Sequence, residues 1–153
     1  MSRQDDAIRE LESAVEDLMA AIDSCPDSEW HAIVPNGWPR AAVAMHCATG
    51  NDTATGWLGY LISRREILDT PDFHDRVNGE AAERHRLASK KEVQSALKRS
   101  TARTTRYIRS LTDDEVDRPA RHGLGGRDMT AASFLPTFSR HIRQHTEQFR
   151  SGF

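Results

Sequence analysis

The sequence predicts an all-α protein built as a four-helix bundle. Apolar residues recur at the three- and four-residue spacing of an amphipathic helix over much of the chain. Signals of β-strands, such as alternating apolar and polar runs or an Asn-Gly turn between hydrophobic segments, are nearly absent. Segments that contain proline, glycine and charged residues divide the chain into four helical stretches of roughly 20 residues each.

Size and composition predict a single globular domain over residues 1–153. A hydrophobic share of 37% beside a charged share of 29% is typical of soluble proteins and excludes the disordered class. No apolar run approaches the roughly 20 residues of a membrane span. The N-terminal residues are too polar for a secretory signal. We therefore expect a cytoplasmic protein without a membrane partner.

Charge and cysteine content exclude two further classes. The net charge of −2 gives no general attraction to nucleic acid, so no nucleic-acid partner is expected. Cys25 and Cys47 are too few for a disulfide framework and lack the paired spacing of a zinc ribbon. We interpret both as reduced thiols.

The first two helices follow from apolar periodicity and from proline. The first is predicted over residues 4–23, where five apolar residues form one stripe: Ile8, Leu11, Val15, Leu18 and Ile22. Residues 24–39 interrupt the pattern with three prolines and a glycine. The second helix is predicted from Pro39, which suits a first helical position, to about Leu68. Its internal glycines indicate close helix contact, room for a ligand or a break: Gly50, Gly56 and Gly59.

Two loops and two helices complete the predicted bundle. Residues 69–80 are predicted to form a loop, and the third helix is expected over Ser89 to Leu111. Residues 112–128 are rich in glycine and charge and are predicted to form a second loop. The fourth helix should run from about residue 129 or 130 to Arg150, with a kink at Pro136 because proline removes one backbone hydrogen bond.

Two histidines one turn apart raise the question of function. His141 and His145 lie in the predicted fourth helix, and His145 falls on its apolar stripe, where a leucine would be the ordinary choice. Such a pair either binds a metal ion or is a polar interruption of the stripe. A tight site needs at least one further ligand, and His46 is the best candidate.

Depth along the helices supports His46. It lies about seven residues after the predicted start of the second helix, and the pair straddles a point about seven residues before the end of the fourth. Both positions are therefore roughly 10 Å from their helix ends. The three imidazoles can converge only if these two helices run antiparallel, which requires one connection to cross the length of the bundle. Loop length does not identify that connection.

The other histidines and the neighbouring aromatic residues have weaker claims. His31 and His74 fall in predicted loops and are expected at the surface, whereas His122, in the glycine-rich loop, is a candidate for the pocket mouth. Cys47 points about 100° away from His46 around the helix and is a poor co-ligand. Three residues in register with His46 are candidates for pocket lining, although aromatic residues at this spacing also occur in cores: Thr53, Trp57 and Tyr60.

Three imidazoles predict an open site for a divalent ion such as zinc, nickel or iron. Three protein ligands leave positions for water or substrate, as in catalytic sites. An ion there can generate hydroxide or thiolate near neutral pH. The residues between the paired histidines are Ile, Arg and Gln, so the glutamate of a zinc peptidase motif is missing. Peptidase chemistry is therefore not expected.

Three stretches resemble the DinB-like superfamily, which includes the metal-binding domain of mycothiol-dependent maleylpyruvate isomerase and the bacillithiol transferases. They are "WPRAAVAMH" (38–46), "HIRQH" (141–145) and the loop "DEVDRPARHGLGGRDMTAASFL" (114–135). The resemblance implies that His46, His141 and His145 are metal ligands. It also implies an up-down-down-up bundle with the crossover between helices two and three, and a homodimer. Pro39 departs from the serine or threonine that commonly follows the tryptophan.

The resemblance favours a metal-dependent transferase that joins a low-molecular-weight thiol to a small electrophilic substrate. Thiol activation needs little help from neighbouring acids and bases, since the metal itself stabilises the nucleophile. Metal-dependent hydrolysis is the alternative activity. A bundle that binds a small molecule or a partner without catalysis is the alternative from another class.

Overall fold

The computed structural model describes residues 1–65, 67, 69–120 and 129–152. Within these residues the structure has seven α-helices, one 3-10 turn at Asp27–Glu29 and no β-strand. The helices are α1 (Arg3–Ser24), α2 (Arg40–Ile62), α3 (Pro71–Arg84), α4 (Lys90–Ser110), α5 (Asp113–Asp117), α6 (Ala131–Phe134) and α7 (Thr137–Arg150). The predicted all-α class is confirmed, and α1, α2, α4 and α7 are the four helices of the bundle. No helix among the described residues is long and apolar enough to cross a membrane.

Contacts between the helices give their directions. Arg40 at the start of α2 donates a 2.7 Å hydrogen bond to the carbonyl of Phe149 at the end of α7, and Gly50 lies farther along against His141. The two helices are therefore antiparallel. Thr55 contacts Thr104 at 2.9 Å and Gly59 lies near Tyr107, so α2 and α4 are parallel.

Helix α1 completes the topology. The side-chain amide of Gln4 bonds to the carbonyl of Leu111, and that of Gln94 bonds to Asp23, so α1 and α4 are antiparallel. Arg143 pairs with Glu10, and farther along both helices Arg150 donates to the carbonyl of Asp17, so α1 and α7 are parallel. The course is thus up-down-down-up, and the segment containing α3 crosses the bundle between α2 and α4. This confirms the predicted topology and its predicted crossover.

The core lies between the four helices of the bundle. All five residues of the predicted α1 stripe are buried. Phe138, Ile142 and Phe149 of α7 are buried with them, whereas His145 on the same stripe is half-buried. Each large apolar side chain that is removed from water contributes about 1.5–3 kcal/mol. The apolar stripes therefore fix the rotation of α7 and direct its histidines to the edge of the core.

The predicted loop at residues 69–80 is wrong, because residues Pro71–Arg84 form α3. Thr70 caps this helix by accepting from the backbone N–H of Phe73, and Pro71 occupies its first turn. Only Ala82 of α3 is buried, so the helix has almost no apolar stripe from which it could be predicted. The second helix also ends at Ile62 rather than near Leu68, and Arg64 then adopts a left-handed φ of 56°.

The last predicted helix is interrupted at Leu135 and Pro136, the place where the sequence predicts a kink, and both residues keep right-handed helical dihedrals. Thr130 caps the short α6 with a reciprocal bond to Ser133, and α7 begins directly after Pro136. The ring of Pro136 supplies no N–H, so the α6 ladder stops there. The predicted loop at 112–128 contains α5, which Thr112 caps. Residues 121–128, and with them His122, lie outside the described residues.

Candidate metal centre

Three histidines meet between α2 and α7. Nε2 of His46 lies 3.1 Å from Nε2 of His141, and one ring nitrogen from each of His46, His141 and His145 lies within 4.8 Å of the others. In a tetrahedral zinc site with bonds of about 2.0–2.1 Å, ligand nitrogens lie roughly 3.3–3.4 Å apart. The donor atoms and their spacing fit a divalent ion, and the antiparallel pairing of α2 and α7 produces the convergence.

Gly50 allows the close approach of His141. A Cβ atom at position 50 would lie 2.4 Å from Cε1 of His141 and 3.1 Å from Nδ1, so the imidazole occupies the space of a missing side chain. Close helix contact is one of the three interpretations that the sequence left open for the glycines of α2, and it holds at Gly50. Gly59 has a looser contact, 3.4 Å to the hydroxyl of Tyr107, and Gly56 has no neighbour within 4 Å.

Two neighbours orient the other imidazoles. Oε1 of Gln148 lies 2.6 Å from Nδ1 of His145. Because an amide oxygen only accepts, Nδ1 carries the proton and Nε2 keeps its lone pair for a ligand. The ring of Trp38 meets His46 edge-on, with centroids 5.4 Å apart. Gln148 is three residues after His145 on α7, a spacing at which two helical side chains meet and which is visible in the sequence.

Burial keeps these histidines neutral. It lowers the pKa of His46 to about 3, and a smaller effect comes from the neighbouring imidazoles of His145 and His141. Burial also lowers the pKa of His141 to about 4, with a further contribution from His145. The pKa of His145 is lowered by burial, against which the bond to Gln148 acts. Neutral imidazole is the form that binds metal, so the cluster is ready for a cation at neutral pH.

The histidines open onto a cavity of about 630 Å³ between α2, α3 and α7. Of the residues proposed for pocket lining, Thr53 and Trp57 lie in the wall of this cavity. Tyr60 does not line it and is instead 37% exposed, with the guanidinium of Arg65 5.0 Å from its ring centroid.

His74 was wrongly predicted to be a surface loop residue. It lies on α3, is half-buried and lines the same cavity as the three histidines. The error follows from the missed α3 helix. Cys47, by contrast, is fully buried in the core, where burial raises the pKa of its thiol far above the usual range. It is neither a ligand nor a nucleophile at neutral pH.

Solved structures share this fold at low sequence identity. Mycothiol-dependent maleylpyruvate isomerase matches with a TM-score of 0.77 and 14% identity over 97% of this chain and 61% of that chain. The chain thus spans about three fifths of the isomerase. YfiT from Bacillus subtilis, described as a probable metal-dependent hydrolase with an unusual four-helix bundle topology, matches with a TM-score of 0.73 and 19% identity over 97% and 87%. A Streptococcus pneumoniae protein matches at 0.67 and 13% over 97% and 92%.

Sequence comparison identifies the family. No match was found among curated proteins. The sequence model of the DinB superfamily, however, matches residues 10–149. This range contains all three histidines of the cluster, the whole of α2 and α4, and all of α1 and α7 except the start of α1 and the last residue of α7. The chain therefore belongs to the DinB superfamily.

Proposed function

We propose that the protein is a metal-dependent enzyme in which His46, His141 and His145 bind one divalent ion, and that it transfers a low-molecular-weight thiol to a small electrophile. The observation that carries the proposal is the convergence of three neutral imidazoles at the wall of a cavity large enough for a substrate. Zinc, nickel and iron(II) are the ions that such a donor set favours.

Each residue of the site has a definable task. His46, His141 and His145 would hold the ion, Gln148 fixes the tautomer of His145, and Gly50 admits the ring of His141. A bound ion lowers the pKa of a thiol and so supplies thiolate at neutral pH. Sulfur then bonds to the electrophilic carbon while the thiol proton leaves with the displaced group. The cavity walls position both reactants and limit access of bulk water.

Thiol chemistry is supported by the isomerase of the same fold, which is described as mycothiol-dependent. It is also supported by the residues between the paired histidines, Ile142, Arg143 and Gln144, which provide no carboxylate base beside the ion. Activation of a thiol requires less of such a base than activation of water does.

Metal-dependent hydrolysis is the second candidate. YfiT, described as a probable metal-dependent hydrolase, is matched over 87% of its length, whereas the isomerase is matched over 61%. Asp75 of α3 also lines the cavity and offers a carboxylate that can accept a proton from water. A hydrolase would act on an ester or amide without added thiol.

Location and assembly complete the proposal. Cys25 and Cys47 are both free and buried, which agrees with a reducing cytoplasm. A homodimer is proposed from the family resemblance alone. Light scattering after size-exclusion chromatography measures the dimer directly, and a monomeric mass at micromolar concentration contradicts it.

Metal analysis of untagged protein tests the site. The wild type should hold one divalent ion per chain after reconstitution, and His46→Ala, His141→Ala and His145→Ala should each lose it. His31→Ala, which changes an exposed histidine outside the cavity, is the matched control and should keep the ion. A wild type that binds no ion after reconstitution contradicts the proposal.

Turnover assays then separate the candidate activities. Loaded protein is mixed with 1-chloro-2,4-dinitrobenzene and a panel of thiols, and separately with p-nitrophenyl acetate without thiol. Thiol-dependent turnover that His46→Ala abolishes supports transfer, and thiol-independent turnover supports hydrolysis. If the protein binds an ion but shows neither activity, the result favours a protein that binds a small molecule or a partner without catalysis.

A further inference from the structure

We infer that the α3 wall of the cavity selects substrates that carry a positive charge, and that Asp75 determines this selectivity. This selectivity rests on the proposed function, because a thiol is taken to be the reacting substrate. The expected substrates are small thiols with an ammonium group.

The described lining of the cavity contains one acidic side chain and no lysine or arginine. The chain contains 21 lysines and arginines, but none of them is among the described residues that line this cavity. Asp75 is the one permanently charged side chain in that lining. The remaining polar lining consists of histidines and of uncharged side chains such as Thr49, Asn51, Thr53, Asn78 and Gln144. An anionic substrate group would find no cationic side chain among them.

The carboxylate of Asp75 is available to a ligand. It is exposed on α3 and makes no hydrogen bond or ion pair within the part of the chain that the structure describes. Asp69, next to this wall, is occupied: its Oδ2 accepts a 2.8 Å hydrogen bond from Nε1 of Trp57 and lies 3.6 Å from Nε2 of His74. That last distance is an ion-pair separation and is too long for a hydrogen bond.

The net charge of the wall is negative in either state of His74. Asp69 and Asp75 contribute two negative charges, and protonation of His74 offsets at most one of them. The other titratable side chains of the cavity are His46, His141 and His145, which would hold the ion. No charged group of α2 or α7 within the described lining opposes the wall.

Aromatic rings reinforce the preference for a cation. Trp57 packs edge-on against His74, with centroids 4.8 Å apart, and both line the cavity. The face of an indole ring attracts ammonium groups. With an ion at the three histidines, the cavity would be positive at one wall and negative at α3. A thiol with an ammonium group two carbons away matches that polarity, since its sulfur is anionic when activated.

Three thiols of matched length test the selectivity: 2-aminoethanethiol, 2-mercaptoethanol and 3-mercaptopropionate. Zinc-loaded full-length protein is assayed with 1-chloro-2,4-dinitrobenzene, and each kcat/KM is divided by the uncatalysed rate constant of the same thiol. The corrected values should fall from the cationic to the anionic thiol. Asp75→Asn should reduce the cation-to-anion ratio by up to roughly fivefold, the range of an exposed ion pair.

Asp72→Asn is the matched control, because Asp72 is an exposed carboxylate on the same helix outside the cavity lining. It should leave the ratio unchanged. A second readout needs no catalysis: calorimetric titration of the full chain before zinc is added, with benzylammonium and with benzoate. Benzylammonium should bind more tightly, and Asp75→Asn should remove the difference.

The outcomes separate this inference from the proposed function. Thiol turnover with a ratio that Asp75→Asn does not change overturns the selectivity and leaves the transferase in place. Binding of benzylammonium that depends on Asp75, without turnover of any thiol, supports the cation site and overturns the transferase. Absence of both overturns both.

Discussion

The imidazole of His141 lies where a side chain at Gly50 would have to be, 2.4 Å from an ideal Cβ position. This contact joins the two helices of the candidate metal centre at the level of the ligands. It makes the smallest possible change, the addition of one methyl group, a direct probe of ligand placement.

Gly50→Ala should displace the imidazole of His141 and weaken zinc binding by roughly tenfold or more. The displaced nitrogen would no longer lie at a corner of the tetrahedron around the ion. Competition with a chromophoric chelator measures the affinity. Gly56→Ala is the matched control, because Gly56 lies on the same helix with open space around it. The free energy of unfolding of this variant should be about 0.5–1 kcal/mol higher than that of the wild type, and its zinc affinity should be unchanged. Equal zinc affinities in the two variants would disprove the steric argument.

Gln148→Ala should also weaken zinc binding, by about 10–100-fold, because Nδ1 of His145 loses the acceptor that fixes its tautomer. Gln148→Glu retains an acceptor and should restore most of the affinity. Gln94→Ala removes a glutamine that bonds to Asp23, away from the cluster, and should not change it. The same chelator competition applies, and an unaltered affinity in Gln148→Ala would show that the ring is held by packing alone.

The metal-free protein should lose stability as the pH falls from about 6.5. The folded-state pKa values of His46 and His141 are lowered to about 3 and about 4, and that of His145 is lowered too. Below 6.5 the unfolded chain therefore binds more protons than the folded chain, and the free energy of unfolding decreases. Urea denaturation in the presence of a chelator measures the slope of the free energy of unfolding against pH. The range from about pH 7 to about pH 5 lies above that in which most carboxylates titrate.

His46→Gln should flatten that slope, since it removes one histidine whose pKa is lowered in the folded state. Identical slopes in the wild type and His46→Gln would mean that His46 is already solvated in the folded protein.

Arg40→Ala should lower the free energy of unfolding by about 2–4 kcal/mol, because Arg40 is only 2% exposed and removal of its guanidinium would leave several backbone carbonyls without their partner. Those partners include the backbone oxygens of Glu29, Phe149 and Ser151. Arg143→Ala, which breaks an exposed pair with Glu10, should cost no more than about 1 kcal/mol. Urea denaturation measures both, and similar losses would contradict the assigned role of burial.

Features with strong periodicity were predictable from the sequence. The apolar stripe of α1 identified that helix, and equal depth of His46 and the His141–His145 pair identified residues that the structure brings together. Their role as metal ligands stays a prediction. Spacing carries this information because a helix converts sequence separation directly into height and direction.

Features that depend on capping or on tertiary contacts were not predictable in the same way. Helix α3 buries only Ala82, so no apolar pattern marks it, and His74 was assigned to a loop for that reason. The end of α2 depends on the left-handed turn at Arg64, a residue without special preference for it. The bond between Trp57 and Asp69 links two segments whose approach only the folded chain determines.

The ligands come from distant parts of the chain, since His46 and His141 are separated by 95 positions. Closing so long a loop is entropically costly early in folding, and such nonlocal contacts form late. An ion held by these residues would bind the native state and not the partly folded chain. The ion would therefore slow unfolding of the native bundle and prolong the lifetime of the folded state, while leaving the rate of folding nearly unchanged.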